Sequence, residues 1–138
     1  MLKVLFDTNV LISAFLTDGL CSKLVLRANK GEFELYTCPI ILNEFEEKLR
    51  TQFSLTKAEI KEALTLIKEI SLTVNPIESN VEVKGVCRDK DDDMVLTCAL
   101  TAKVDFLVTG DRDLLIIGVY QGINIISPRA FELLFDSD

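Results

Sequence analysis

The stretch Leu2-Lys3-Val4-Leu5-Phe6-Asp7-Thr8-Asn9-Val10-Leu11 decides the fold. Leu2 to Phe6 is apolar and β-favouring, with Lys3 its one charge, and reads as a buried strand. Val10 to Phe15 stays apolar without strand alternation, so a helix follows and the turn falls on Asp7. The pattern recurs along the chain. Leu20 to Lys30 has helical apolar spacing and closes at Gly31. Phe33 to Thr37 reads as a second strand, and Pro39 opens a helix to about Thr51 with Ile41, Leu42, Phe45 and Leu49 on one face. Thr56 and Glu59 have capping-box spacing and start a helix over Lys57 to Ile70. Leu72 to Val74 is a short third strand, Pro76 to Lys90 a polar loop, and Asp91 to Ala102 a helix. Asp105 to Thr109 and Ile123 to Ile126 are the last strands, and Ser127 caps a closing helix over Pro128 to Phe135. Alternating strands and helices predict an α/β protein whose mostly parallel sheet is covered on both faces.

Composition limits the chemistry. The chain has 138 residues, a size expected of one domain spanning residues 1–138. There is no histidine, which removes Ser-His and Cys-His nucleophilic catalysis and the His-Glu-x-x-His zinc site. No phosphate-binding Gly-Lys-Ser/Thr loop and no Gly-x-Gly-x-x-Gly occurs. Cys21, Cys38, Cys87 and Cys98 form no Cys-x-x-Cys and read as small, partly buried thiols of a reducing compartment. With Lys+Arg 15 against Asp+Glu 22, the net charge of -7 excludes a global nucleic-acid footprint, so any such contact is local or cation-mediated. No apolar run nears the roughly 20 residues of a membrane helix, and the expectation is a cytoplasmic protein without membrane contact.

The carboxylates carry the function. Asp7 follows the first strand, Glu44 lies in the helix after the second, Asp91-Asp92-Asp93 opens the helix before the fourth, and Asp111 and Asp113 follow the fourth. Each has an ordinary structural role available: a helix cap, a solvated helix position, a dipole complement or a turn former. Together they fall where open parallel sheets gather ligands, beyond the carboxyl ends of strands. Oxygen donors without imidazole or thiolate suit Mg²⁺ or Mn²⁺. Crowded carboxylates raise one another's pKa, and a divalent ion relieves that conflict. The chemistry such a site supports is metal-assisted phosphodiester hydrolysis with one or two ions.

The run Phe6-Asp7-Thr8-Asn9-Val10-Leu11 resembles the opening motif of PIN domains, the nuclease fold of VapC-type toxins. Glu44 matches the family's acidic residue on the helix after strand two. Arg88-Asp89-Lys90-Asp91-Asp92-Asp93 with Leu96 and Ala99 resembles its third motif, with Lys90 where the family usually has Pro. Val108-Thr109-Gly110-Asp111-Arg112-Asp113-Leu114-Leu115 resembles its fourth. The likeness spans residues 2–115 and implies a three-layer α/β/α sandwich with parallel strand order 3-2-1-4-5. It implies a Mg²⁺- or Mn²⁺-dependent endoribonuclease acting on RNA, the toxin of a toxin–antitoxin pair, homodimeric and held inactive by an antitoxin. Asp7, Glu44, Asp93 and Asp111 carry over as catalytic and metal-binding residues, with Asp113 a fifth ligand or a member just outside the ligand set. Asp92 is the alternative to Asp93, because counting back from Leu96 and Ala99 favours Asp93 first and Asp92 second. Thr8 and Asn9 orient Asp7 or a metal-bound water, and Arg88, Lys90 and Arg112 are the nearby cations for the RNA backbone.

Other readings fit less well. A haloacid-dehalogenase-type phosphate hydrolase needs a second Asp two residues after the first, where Asn9 stands. A receiver-like signalling domain needs a phospho-acceptor after strand three, whereas the Asp triplet opens a helix. A PIN-like binding module without activity is the non-enzymatic alternative.

Overall fold

The computed structural model describes residues 1–76 and 83–135. Part of the loop expected over Pro76 to Lys90 falls on residues 77–82, outside the described residues. In chain order the elements are β1 (Lys3–Phe6), α1 (Thr8–Leu16), α2 (Leu20–Asn29), β2 (Glu34–Thr37), α3 (Pro39–Thr51), α4 (Lys57–Ile70), β3 (Ser71–Thr73), α5 (Lys90–Ala102), β4 (Phe106–Val108), α6 (Arg112–Ile117), β5 (Val119–Tyr120), β6 (Ile123–Ile126) and α7 (Pro128–Leu133).

The sheet order is β3-β2-β1-β4-β6-β5. All neighbours are parallel except β5 and β6. The five expected strands therefore stand in the expected order 3-2-1-4-5, with Ile123–Ile126 as the fifth. The addition is β5, joined to β6 by Gln121 and Gly122, whose φ values are 46° and 85°. Two consecutive positive φ values make the two-residue turn whose twist matches a hairpin. Gln121 lacks the Asn or Asp that signals such a turn, so the sequence hid it.

In β1, Val4, Leu5 and Phe6 are all essentially unexposed although successive side chains face opposite sides of a strand. Both sheet faces are thus covered, which makes the three-layer sandwich. On one of them Phe131 of α7 packs edge-on to Phe33, ring centroids 5.1 Å apart, and touches Phe6 and Phe106. Arg27 of α2 pairs with the buried Glu132 of α7 and stacks on Phe135, fastening the closing helix.

Two caps were legible and occur as expected. Thr56 and Glu59 form the reciprocal capping box, and Ser127 accepts from the amide of Ala130. One expectation is corrected. Cys38, at the start of α3, and Cys98, in α5, are joined in a disulfide with Cα atoms 6.4 Å apart, whereas Cys21 and Cys87 remain thiols. Sequence spacing cannot reveal a partner 60 residues away; packing of α5 beside the end of β2 makes the pair. Among the described residues no single helix is long and apolar enough to cross a membrane.

Register positions the site. β1 and β4 pair as Val4↔Phe106, Leu5↔Leu107 and Phe6↔Val108, so their carboxyl ends are level. The chain leaves β1 toward β2 on one side, while β4 lies on the other. A crevice opens at such a reversal of strand order.

Candidate active site

Asp7 is the first residue beyond β1. Its amide still bonds the carbonyl of Val108, at 3.0 Å, so the backbone is held to the sheet as it turns into α1. One carboxylate oxygen accepts from the amide of Thr8, at 2.7 Å, and the other from the hydroxyl of Thr109, at 2.8 Å. Burial pushes the Asp7 carboxyl above its ordinary range. The Thr109 and Thr8 hydrogen bonds oppose this, and Glu44 and Asp111 add to it. Thr109, the first residue beyond β4, also accepts from the amide of Asp111, at 3.0 Å. This fully buried hydroxyl therefore fixes Asp7 and Asp111 relative to each other. It lies inside the fourth motif but carries no charge, and its role emerges only when β1 and β4 are level.

Asp111 caps α6 through one oxygen, which accepts from the amides of Asp113, at 2.8 Å, and Leu114, at 3.3 Å. Carboxylate oxygens of Asp111, Asp113 and Asp92 lie within 4.8 Å of one another. Asp92 sits in the first turn of α5, and its carboxyl is pushed up to about 6. Burial contributes most, followed by the charges of Asp111, Asp89, Asp7 and Asp113.

The adjacent Asp93 is directed elsewhere. Its oxygens accept from the amides of Gly85, at 2.9 Å, and Cys87, at 2.8 Å. Burial opposes its ionisation, but the amide and thiol of Cys87, with the amides of Gly85 and Val86, outweigh that and hold the carboxyl below its usual range. Asp93 thus anchors the segment entering α5, while Asp92 faces the carboxylates of the cleft.

Asp7, Asn9, Glu44, Lys48, Asp92 and Asp111 line one cleft of about 330 Å³. Glu44 projects from α3, which packs beside α1, and pairs with Lys48 one turn on, at 3.3 Å. Thr8 is buried, and its part in the site is the amide it gives Asp7. Arg88 reaches the cluster by bonding Asp113, at 2.6 Å. Lys90 and Arg112 are exposed and line no part of the cleft. Lys48 had no sequence signal beyond its spacing from Glu44.

The donor set is all oxygen, with no imidazole in the chain, and its members repel unless a cation lies among them. That fits Mg²⁺ or Mn²⁺ and not softer metals. The crowding has a measurable consequence. The folded chain holds a proton on Asp92 at pH values where the unfolded chain, with an ordinary carboxyl near 3.8, has released it. Stability in EDTA is therefore expected to rise as pH is lowered through about 6, with Asp7 acting in the same sense. Asp93, Glu59 and Glu132, whose folded values are lowered, act oppositely, but only below their ordinary 3.8, 4.5 and 4.5. Thermal unfolding midpoints should climb between pH of about 7 and about 5, and Asp92→Asn should flatten the climb. An unchanged slope in the variant would place the titration elsewhere.

A family model described as PIN domain matches residues 3–113, a span that holds Asp7, Glu44, Asp92, Asp111 and Asp113. The fold is also similar to a chain in the crystal structure of VapBC2 from Rickettsia felis bound to a DNA fragment from their promoter. The TM-score is 0.62 at 14% identity, covering 91% of this chain and 98% of that one. At that identity the likeness is one of fold. Comparison with curated proteins gives no match.

Proposed function

The chain belongs to the PIN domain family, and from that premise we propose that it is a Mg²⁺- or Mn²⁺-dependent endoribonuclease. The observation that carries this reading is the meeting of Asp7, Glu44, Asp92 and Asp111 in one cleft, from four separate segments, in a chain without histidine. Asp92, Asp111 and Asp113 are the residues that would hold the ion, with Asp7 adjoining them. We assign the third-motif ligand to Asp92 and not Asp93, because both oxygens of Asp93 are engaged by loop amides.

A divalent ion, when bound, supplies Lewis acidity toward a phosphoryl oxygen and acidifies water. The protein's own part is positioning. Thr109 holds Asp7 and Asp111 at a fixed separation, and the α6 cap fixes the orientation of Asp111, so little reorganisation is needed when charge develops. Glu44 faces the same cleft from α3 and is placed to orient water toward the scissile phosphate. Arg88, bonded to Asp113 at the edge of the cluster, is a cation that meets the RNA backbone, with Lys90 and Arg112 exposed outside the cleft.

We further assign the protein as the toxin of a toxin–antitoxin pair, acting as a homodimer in the cytoplasm. The solved relative of like fold is a VapBC2 assembly, which supports an antitoxin partner. An acidic cleft is a natural target for an antitoxin Arg or Lys, since paired guanidinium and carboxylate groups bond strongly.

Purified protein is expected to cleave single-stranded RNA with Mn²⁺ or Mg²⁺ and to lose that cleavage in EDTA. Cleavage that survives chelation overturns the metal-dependent reading. Metal binding without cleavage of any RNA in a broad panel reduces the protein to a binding module.

A further inference from the structure

Among the described residues, Lys48 is the one basic side chain lining a cleft whose wall includes Asp7, Glu44, Glu47, Asp92 and Asp111. It projects from α3 one turn beyond Glu44. Its Nζ lies 3.3 Å from Glu44 Oε1 and donates to Asn9 Oδ1, at 3.1 Å. Asn9 belongs to the first turn of α1, two residues after Asp7. The ammonium is thus held by groups on two helices, and its side chain is only 27% exposed. A lysine placed for solubility would extend into water.

The position matters because Glu44 stands apart from the Asp92, Asp111 and Asp113 cluster. Two-ion nucleases place their ions about 3.5–4 Å apart, clamping the attacking and leaving oxygens. In this cleft Glu44 already has a positive partner, and a divalent ion brought to it would meet the ammonium of Lys48. Like charges at such spacing repel strongly where water is partly excluded.

We propose that Lys48 takes, as an ammonium, the place of a second divalent ion at Glu44. The cleft then binds a single ion at Asp92, Asp111 and Asp113, and Lys48 Nζ supplies the second positive charge toward the RNA phosphate. The phosphate contact rests on the nuclease reading given above; the ion count does not. Asn9 and Glu44 are then positioning residues for Lys48, which explains why an Asn two residues after Asp7 faces the cleft.

Mn²⁺ bound per chain is counted by electron paramagnetic resonance on wild type, Lys48→Gln, Lys48→Arg and the Lys48→Gln, Glu44→Gln double variant. Wild type and Lys48→Arg should bind a single ion. Lys48→Gln should gain a second, and the double variant should lose it again. In EDTA, where no ion can take the place of the ammonium, affinity for single-stranded RNA should fall about tenfold in Lys48→Gln and recover in Lys48→Arg, the scale of one charge-assisted hydrogen bond. A second ion in wild type, or no second ion in Lys48→Gln, overturns the proposal even if RNA is cleaved. A single ion in wild type and a second in Lys48→Gln, without RNA cleavage by either, upholds the ion count and refutes the nuclease reading instead.

Discussion

Asp92→Asn is expected to lower Mn²⁺-dependent RNA cleavage by roughly 10³-fold, several kcal/mol of transition-state stabilisation. The same variant should leave the metal-free fold at least as stable as wild type at neutral pH. Asp92 shares a space of 4.8 Å with carboxylate oxygens of Asp111 and Asp113, and its proton is held up to about pH 6 by burial and by its acidic neighbours. Removing its charge relieves that repulsion when no ion is present and removes a ligand when one is. The paired measurements are single-turnover cleavage against Mn²⁺ concentration and thermal unfolding in EDTA. Loss of activity together with a lowered unfolding midpoint would mark Asp92 as structural and withdraw it from the ligand set.

Asp93→Ala should behave in the opposite manner. It deletes the acceptor for the amides of Gly85 and Cys87 and strands them in a part-buried position, where Gly85 is exposed and Cys87 half-buried. Leaving such donors unpaired costs about 1–3 kcal/mol each, partly offset where water reaches them, so a loss of about 2–4 kcal/mol is expected. For a domain of this size that is a fall on the order of 10 °C in unfolding midpoint. The Mn²⁺ count should stay as in wild type at temperatures where the variant is folded, because neither oxygen of Asp93 faces the cleft cluster. A folded Asp93→Ala protein that no longer binds Mn²⁺ would restore Asp93 as the ligand.

These two adjacent residues show where sequence reading stops. The triplet Asp91-Asp92-Asp93 was legible as an acidic helix start and as part of a hard-oxygen site. Choosing among its members was not, since neighbouring helix positions differ by about 100° in direction. The rotation of α5 about its axis is set by packing Val95, Leu96 and Ala99 into the core, and that packing turns Asp92 toward Asp111 and Asp93 toward Gly85 and Cys87. Counting along the chain toward Leu96 and Ala99 favours Asp93 by distance in residues, which carries no facing direction. The same limit hid Thr109, whose importance depends on the level ends of β1 and β4, and the Cys38–Cys98 pair, whose partners lie on different elements.

The sequence by itself determined most of the succession of elements, the parallel character of the sheet and the chemical class of donor the site offers. Those properties follow from local patterns: apolar runs too continuous for an exposed strand, caps at fixed offsets, and the absence of any imidazole. Tertiary structure alone decided which carboxylates meet, that Lys48 bridges Glu44 and Asn9, and which two cysteines join. Those are relations between groups on separate helices and strands, and their distances are set by how whole elements rotate and pack against one another, which no stretch of chain specifies alone.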